Sequence, residues 1–305
     1  MHRLDLLTST IGNNMTSALI VGMGIGQLYH SVFSSLGYDI DTVDADASKN
    51  ATYTDAEQSK KKYDIAVICT PNFTHEIIAR TIAKQCSIVL VEKPGVIDAK
   101  CWQCLVEDYP NTRFMMVKNN QYRQEISYFK SLSDQSTLVH VMWNNKNRIP
   151  NPGSWFTTKD KAFGGVSRDL IPHMLSYFCI LTDYKNGRKL GEKVEQRHKL
   201  EDLIDTDYGV IKYDGIHNVD DFCRLDYGSD STHWTLQADW KNNTDDDLYI
   251  SFCSKYSAVK HALGLCPEEA YKKMVHTAVT NLNNDSFWKE QYDQDIWIHE
   301  QIEKL

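Results

Sequence analysis

Four short runs of apolar residues, separated by segments of helical periodicity, constrain this chain more than any other feature. They are Ala18-Leu19-Ile20-Val21, Ile65-Ala66-Val67-Ile68-Cys69, Ile88 to Val91 and Phe114 to Val117, and none alternates apolar with polar positions. A strand that is apolar on both sides needs cover on both faces, which is the setting of a parallel sheet wrapped by helices. The segments between supply those helices. Leu28, Val32, Phe33 and Leu36 recur at helical spacing up to Gly37, and Ile77, Ile78, Ile82 and Ala83 repeat the pattern. Tyr38 to Val43 adds a strand, and Asp98 stands where a side chain caps the first turn of another helix. Residues 1–121 therefore read as one doubly wound α/β domain.

Past Gln121 the texture changes. Leu138 to Trp143, Gly209 to Tyr213, Phe222 to Tyr227, His233 to Trp240 and Leu248 to Cys253 read as strands, with Asn242 to Asp247 as a polar turn. That pattern predicts a largely antiparallel sheet. Helices are expected over Val166 to Leu181, from Pro267, and from about Ser286. Residues 122–305 thus form a second, α+β domain, and 305 residues suffice for two domains with a core each. Met15 directly precedes the first strand, so residues 1–14 are expected to be a dispensable extension.

Charge and composition remove several classes of function. With 33 basic against 41 acidic side chains, and no basic run longer than Lys60-Lys61-Lys62, the chain lacks the clustered cations that nucleic acid demands, and no such partner is expected. There is neither an apolar stretch of about 18 residues nor a secretory pattern at the start, so no membrane association and a cytoplasmic location are expected. Cys69, Cys179 and Cys253 lie inside apolar segments, as reduced core thiols do. Cys101-x-x-Cys104 has no second pair or histidine cluster beside it, and no metal is expected.

Between the first strand and first helix stands Gly22-Met23-Gly24-Ile25-Gly26-Gln27. Glycines at such a turn let the backbone approach a pyrophosphate, and the helix that follows offers amides and the positive end of its dipole to the anion. Asp44 ends the second strand, where a carboxylate can accept hydrogen bonds from an adenosine ribose and would repel a 2'-phosphate. The third glycine comes one place earlier than in the six-residue fingerprint, and Gln27 holds the sixth place. NAD is the expected cofactor, with NADP left open because Lys49 and other cations lie nearby.

Three more segments carry polar residues where strand ends are expected to open on one crevice. In Cys69-Thr70-Pro71-Asn72-Phe73-Thr74-His75 a strand is stopped by Pro71, and Asn72 and Thr74 either cap the next helix or serve the site. Val91-Glu92-Lys93-Pro94 delivers an ammonium that either clamps substrate and assists proton transfer or forms a surface ion pair. In Gly164-Gly165-Val166-Ser167-Arg168-Asp169-Leu170-Ile171-Pro172-His173, Asp169 and His173 stand four apart, so one helical turn places them on one face and lets the carboxylate orient the imidazole. Trp155 and Phe156 either wall a substrate pocket or anchor a loop, and both readings stand.

In this order the segments resemble the Gfo/Idh/MocA family of NAD(P)-dependent oxidoreductases, named for glucose-fructose oxidoreductase and inositol dehydrogenase, over nearly the whole chain. The most specific parts are Glu92-Lys93-Pro94 and the Gly-Gly then Asp-x-x-x-His pattern of Gly164 to His173, supported by Thr70-Pro71-Asn72-x-x-His75 and Gln121-Tyr122-Arg123. The resemblance implies an N-terminal Rossmann-type domain that binds cofactor through Gly22, Met23, Gly24, Ile25, Gly26, Asp44, Cys69, Thr70, Pro71, Asn72, His75, Glu92, Lys93 and Gln121, with Gln121 beside the nicotinamide. It implies that Lys93, Asp169 and His173 are catalytic and that, with Trp155 and Arg168, they bind substrate.

The implied reaction moves a hydride between nicotinamide and a secondary alcohol or ketone of a sugar, sugar derivative or cyclitol. The shorter Gly-x-Gly-x-Gly turn also occurs in the family. The region after His173 is short and unlike its sugar-specific branches, which leaves the substrate open. Two other readings follow from the same resemblance: a reductase of a linear tetrapyrrole, cyclic imine or dihydrodiol, and a nicotinamide-sensing regulator without turnover. Retention of Lys93, Asp169 and His173 together favours turnover. Assembly as a homo-oligomer, dimer or tetramer, through an exposed sheet face is also implied.

Overall fold

A computed structural model describes residues 16–305, and the extension expected at residues 1–14 lies outside them. Along the chain run β1 (Ser17–Val21), α1 (Gly26–Ser35), β2 (Asp39–Val43), β3 (Tyr63–Ile68), α2 (His75–Ile82), β4 (Cys86–Val91), α3 (Ala99–Asp108) and β5 (Arg113–Met116). There follow α4 (Ile126–Ser133), β6 (Leu138–Asn144), α5 (Lys159–Ala162), α6 (Val166–Asp169), α7 (Ile171–Leu181), β7 (Arg188–Glu195), β8 (Phe222–Ser229), β9 (Thr232–Asp239), β10 (Asp247–Cys253), β11 (Ala258–Ala262), α8 (Glu268–Thr280) and α9 (Asp285–Ile302). Their packing divides the described residues into two units. One takes the chain up to Thr70, Thr74–Val117 and Glu268–Ile296; the other takes Pro71–Phe73, Lys118–Pro267 and Trp297–Leu305.

The first unit is built on a five-stranded sheet in the order β2-β1-β3-β4-β5, with every pair parallel. Leu19, Ile20, Ala66, Val67, Val89 and Leu90 are fully buried, as unpatterned apolar strands require. Asp98 caps α3 as expected, its carboxylate accepting from the Cys101 amide at 2.7 Å. α8 buries Ala270, Tyr271, Met274, Val275, Ala278 and Val279 on one stripe. It meets α1 through the Tyr271 and Tyr29 rings, edge to face at 5.4 Å, and through the Ser31 hydroxyl, which donates to Glu268. Asp295 of α9 is fully buried and accepts from the Met116 amide at 2.9 Å, so a carboxylate from the far end of the chain terminates β5. A division at Gln121 groups these C-terminal helices with the later residues, whereas α8 and most of α9 pack in the first unit. An apolar stripe shows that a helix is covered, not which sheet covers it.

The second unit carries a six-stranded sheet in the order β11-β10-β6-β9-β8-β7, antiparallel except for the β6–β9 pair. α7 is apolar nearly all round and buries Met174, Leu175 and Phe178, the last stacked on Trp297 at 5.6 Å. Two expectations are corrected, and two strands had no sequence signal. Gly209 to Tyr213 is not a strand: Gly209 has φ +93°, and the segment is held as a loop by bonds from the Asn151 amide to Tyr208 and from the Lys212 amide to Pro152. The edge strands β7 and β11 escape the apolar pattern because both are charged and largely exposed, as edges need to be. The helix expected over Val166 to Leu181 is broken at Leu170 into α6 and α7, with Pro172 in the first turn of α7, where its missing N–H is tolerated.

Candidate functional site

In the first unit, Val21 pairs with both Val43 and Ile68, and Ile68 pairs with Val91, so four parallel strands end in register. The residues that follow them, Gly22, Asp44, Cys69 and Glu92, therefore emerge along one sheet edge. Three remain tied to it: the Gly22 amide donates to Val43, the Cys69 amide to Val21 and the Glu92 amide to Ile68, at 2.7 to 2.9 Å.

Each glycine of the turn answers a different demand. Gly22 has φ +93°, and a Cβ there would stand 2.8 Å from the Cys69 backbone, so it is set by close approach to β3. At Gly26 a Cβ would stand 2.9 Å from a methyl of Ile20, so it seats α1 on β1. Gly24 is exposed and an added Cβ would meet nothing within 4 Å. Packing does not require a glycine there, whereas a ligand resting on the backbone would. α1 starts at Gly26 without a side-chain cap from Ile25, which suits an anion at its amides. Asp44 braces the turn, accepting from the Met23 amide at 2.7 Å and from the Asp46 amide at 2.9 Å. A carboxylate has about four acceptor positions, so capacity for ribose hydroxyls remains. The cradle fits a dinucleotide.

Glu92 is 9% exposed and accepts from the Tyr29 hydroxyl at 2.7 Å and from the Lys93 amide at 3.2 Å. Burial, and then the Glu92 charge, push the Tyr29 phenol well above its ordinary pKa, so Tyr29 stays a donor. The Lys93–Pro94 peptide is cis, and the Gly95 amide closes the turn on the Glu92 carbonyl at 2.9 Å. The Thr74 hydroxyl donates to that of Thr70 at 2.7 Å rather than capping α2. His75 is fully buried, with Nδ1 2.7 Å from the Gly95 carbonyl oxygen and Nε2 2.8 Å from that of Thr70. Both ring nitrogens thus face protein, which differs from the expected contact with cofactor.

In the second unit, Asn72 donates from its amide to the Ala162 carbonyl at 2.9 Å, tying the Pro71–Phe73 segment to the end of α5 instead of capping α2. Sequence reasoning missed Asp220. Its carboxylate accepts from the Gly165 amide at 2.9 Å and from the Ser167 amide and hydroxyl at 2.7 and 2.9 Å, while its carbonyl takes the Val166 amide. A Cβ at Gly165 would overlap that carbonyl, which explains the second glycine of the Gly-Gly pair. No local signal links Asp220 to a helix start some fifty residues earlier.

Two tryptophans were missed as well. Trp240, 1% exposed, donates from its indole to Asp169 at 3.1 Å, and Trp143 stacks on the His173 ring at 5.8 Å and 25°. The parallel pairing of Trp143 with Ala238 brings the ends of β6 and β9 together, so both indoles reach the Asp169 and His173 segment from one sheet edge. A tryptophan at each of two strand ends was the available signal. Asp169 and His173 are half-buried, while Arg168 is buried. Gln121, 8% exposed, donates from its amide to the Ser176 carbonyl at 2.9 Å. Trp155 and Phe156, both half-buried, stack at 4.0 Å and continue to the exposed rings of Phe73 and Tyr208. Among the described residues no helix is long and apolar enough to cross a membrane, and no group of three or more His, Cys, Asp or Glu could hold a metal.

Comparison with known proteins agrees with the fold. Residues 31–112 match the family model GFO_IDH_MocA, described as an oxidoreductase family with an NAD-binding Rossmann fold. A protein of Amycolatopsis mediterranei, provisionally named a UDP-kanosamine synthase oxidoreductase subunit, is 25% identical over 153 residues, covering 46% of this chain and 43% of that protein. Among solved structures, GenD2 of gentamicin A biosynthesis, determined with NAD, shares the fold at a TM-score of 0.72 and 18% identity, covering 96% of this chain and 94% of its own. A myo-inositol dehydrogenase of Corynebacterium glutamicum gives 0.69 at 12% identity, over 93% and 95% of the two chains. A levoglucosan dehydrogenase solved with NADH and levoglucosan gives 0.69 at 10%, over 95% and 97%.

Proposed function

We propose, from the match of residues 31–112 to the Gfo/Idh/MocA oxidoreductase family model with its NAD-binding Rossmann fold, that the chain is an NAD-dependent dehydrogenase acting on a secondary alcohol or ketone of a sugar, sugar derivative or cyclitol. The observation that carries the reading is the row of strand ends bearing Gly22, Asp44, Cys69 and Glu92-Lys93, with open space above Gly24 alone among the turn's glycines. The parallel-sheet unit would hold the cofactor and the six-stranded unit the substrate. Gly22 to Gly26 would take the pyrophosphate and Asp44 the adenosine ribose, which disfavours a 2'-phosphate by charge. When bound, the nicotinamide supplies a hydride donor or acceptor.

The chain's own residues do the rest. His173 takes the hydroxyl proton in oxidation and returns it in reduction, the stacked Trp143 restricting its ring. Asp169, anchored by the Trp240 indole, directs His173 and a neighbouring substrate hydroxyl. Lys93 donates to the reacting oxygen and stabilises the charge that develops on it. The names of the relatives, which include inositol and levoglucosan dehydrogenases, support a cyclic polyol or sugar substrate. A homo-oligomer joined through the six-stranded sheet and a cytoplasmic site of action complete the reading. All eight cysteines are free, which suits a reducing compartment. A screen of polyols, sugars, nucleotide sugars and sugar acids with NAD and NADP, followed by reduced-cofactor absorbance, tests it. Turnover of a ring polyol or sugar is expected; turnover confined to cyclic imines, tetrapyrroles or dihydrodiols would reject the substrate class.

A further inference from the structure

His75 is fully buried in the first unit, and both its ring nitrogens face backbone carbonyls. One nitrogen meets the Thr70 carbonyl at the end of β3, and the other meets the Gly95 carbonyl at the close of the turn that carries Lys93. These two segments follow the adjacent parallel strands β3 and β4. The ring is the crosspiece.

We propose that His75 is a positioning residue that fixes the Glu92–Gly95 turn, and with it Lys93, against the end of β3. The inference rests on the role given to Lys93 above. A carbonyl oxygen only accepts, so a neutral imidazole can satisfy one of the two and must set a lone pair against the other. Burial holds the ring's pKa below the ordinary histidine value, against the pull of both carbonyls, and the nearby Lys93 charge acts in the same direction as burial. The ring therefore carries one proton at neutral pH, bonding one carbonyl, and its packing in a fully buried slot keeps it against the other. Replacing it by a ring of similar size without donors preserves volume and removes the clamp, which separates positioning from filling.

The test uses the full-length protein and two variants, His75→Phe and His75→Gln, the second retaining a donor should the first not fold. Lys93 acylation by acetic anhydride is measured by mass spectrometry against Lys60 as an exposed internal standard, with no cofactor present. The clamp predicts that relative labelling of Lys93 changes about fivefold or more in His75→Phe, the scale of one lost buried hydrogen bond, and by less in His75→Gln. It also predicts a lowered kcat in His75→Phe with NADH affinity little changed. Unaltered Lys93 labelling in folded His75→Phe, or a change in His75→Gln as large as that in His75→Phe, overturns the proposal. Lys93→Met is assayed alongside: normal turnover by that variant refutes the catalytic reading of Lys93, while the clamp is still judged on labelling alone.

Discussion

Single side chains carry the proposed cofactor choice and the expected acid sensitivity, and each can be tested by substitution. Asp44 braces the glycine turn, and under the proposed cofactor mode its carboxylate would oppose a 2'-phosphate, so NADH should bind more tightly than NADPH. Asp44→Ala should narrow that gap by about 1 to 2 kcal/mol in a fluorescence titration. A parent protein that favours NADPH would refute this assignment. Trp240→Phe keeps the ring and removes the indole N–H from Asp169; we expect a loss of about 1 kcal/mol in unfolding free energy and a fall in kcat, with NADH affinity unchanged. An unchanged kcat would show that Asp169 holds its place without Trp240. Burial depresses the His75 pKa in the folded chain, so its neutral ring contributes stability above the unfolded value of about 6.5 that is lost as pH falls through the lower folded value. Denaturant unfolding from pH 7 to pH 5 should therefore show a shallower loss of stability in His75→Phe than in the parent. Equal slopes would mean that His75 does not titrate between the two states.

At the scale of elements, what was legible depended on whether the cause was local. The unpatterned runs at Leu19, Ala66, Val89 and Phe114 named a parallel sheet because burial on two faces leaves no polar position to misread. Asp98 named its helix start because a cap acts within one turn. β7 and β11 were silent because edge strands keep charges facing water, and Gly209 to Tyr213 misled because Val210 and Tyr213 are exposed on a loop tethered to Asn151 and Pro152. In the candidate site, the glycines, Asp44 and Lys93 were legible as motifs, while Asp220, Trp143 and Trp240 act across long stretches of chain that no spacing records. The glycines themselves separate fold from ligand. Gly24→Val should leave the unfolding free energy within about 0.5 kcal/mol while abolishing NADH binding, whereas Gly165→Ala should destabilise by about 1 to 3 kcal/mol because its Cβ overlaps the Asp220 carbonyl. Normal NADH binding by a folded Gly24→Val would reduce the turn to a structural feature.

For the whole molecule, cofactor binding is proposed for the parallel-sheet unit, proton transfer for His173 with Asp169, and charge stabilisation for Lys93. Such a division makes binding and turnover separable by mutation. A nicotinamide sensor would need the glycine turn and Asp44 but not Lys93 and His173, so these two residues distinguish an enzyme from a regulator. The decisive measurement is kcat for the parent, Lys93→Ala, His173→Ala and the double variant on the best substrate from the screen, with NADH affinity determined in parallel. Each single variant is expected to lose about a hundredfold or more in kcat while still binding NADH, and the double variant to lose less than the product of the two. Single variants that turn over at the parent rate, or a parent that turns over nothing yet binds a protein partner only with NADH, would contradict the proposed division.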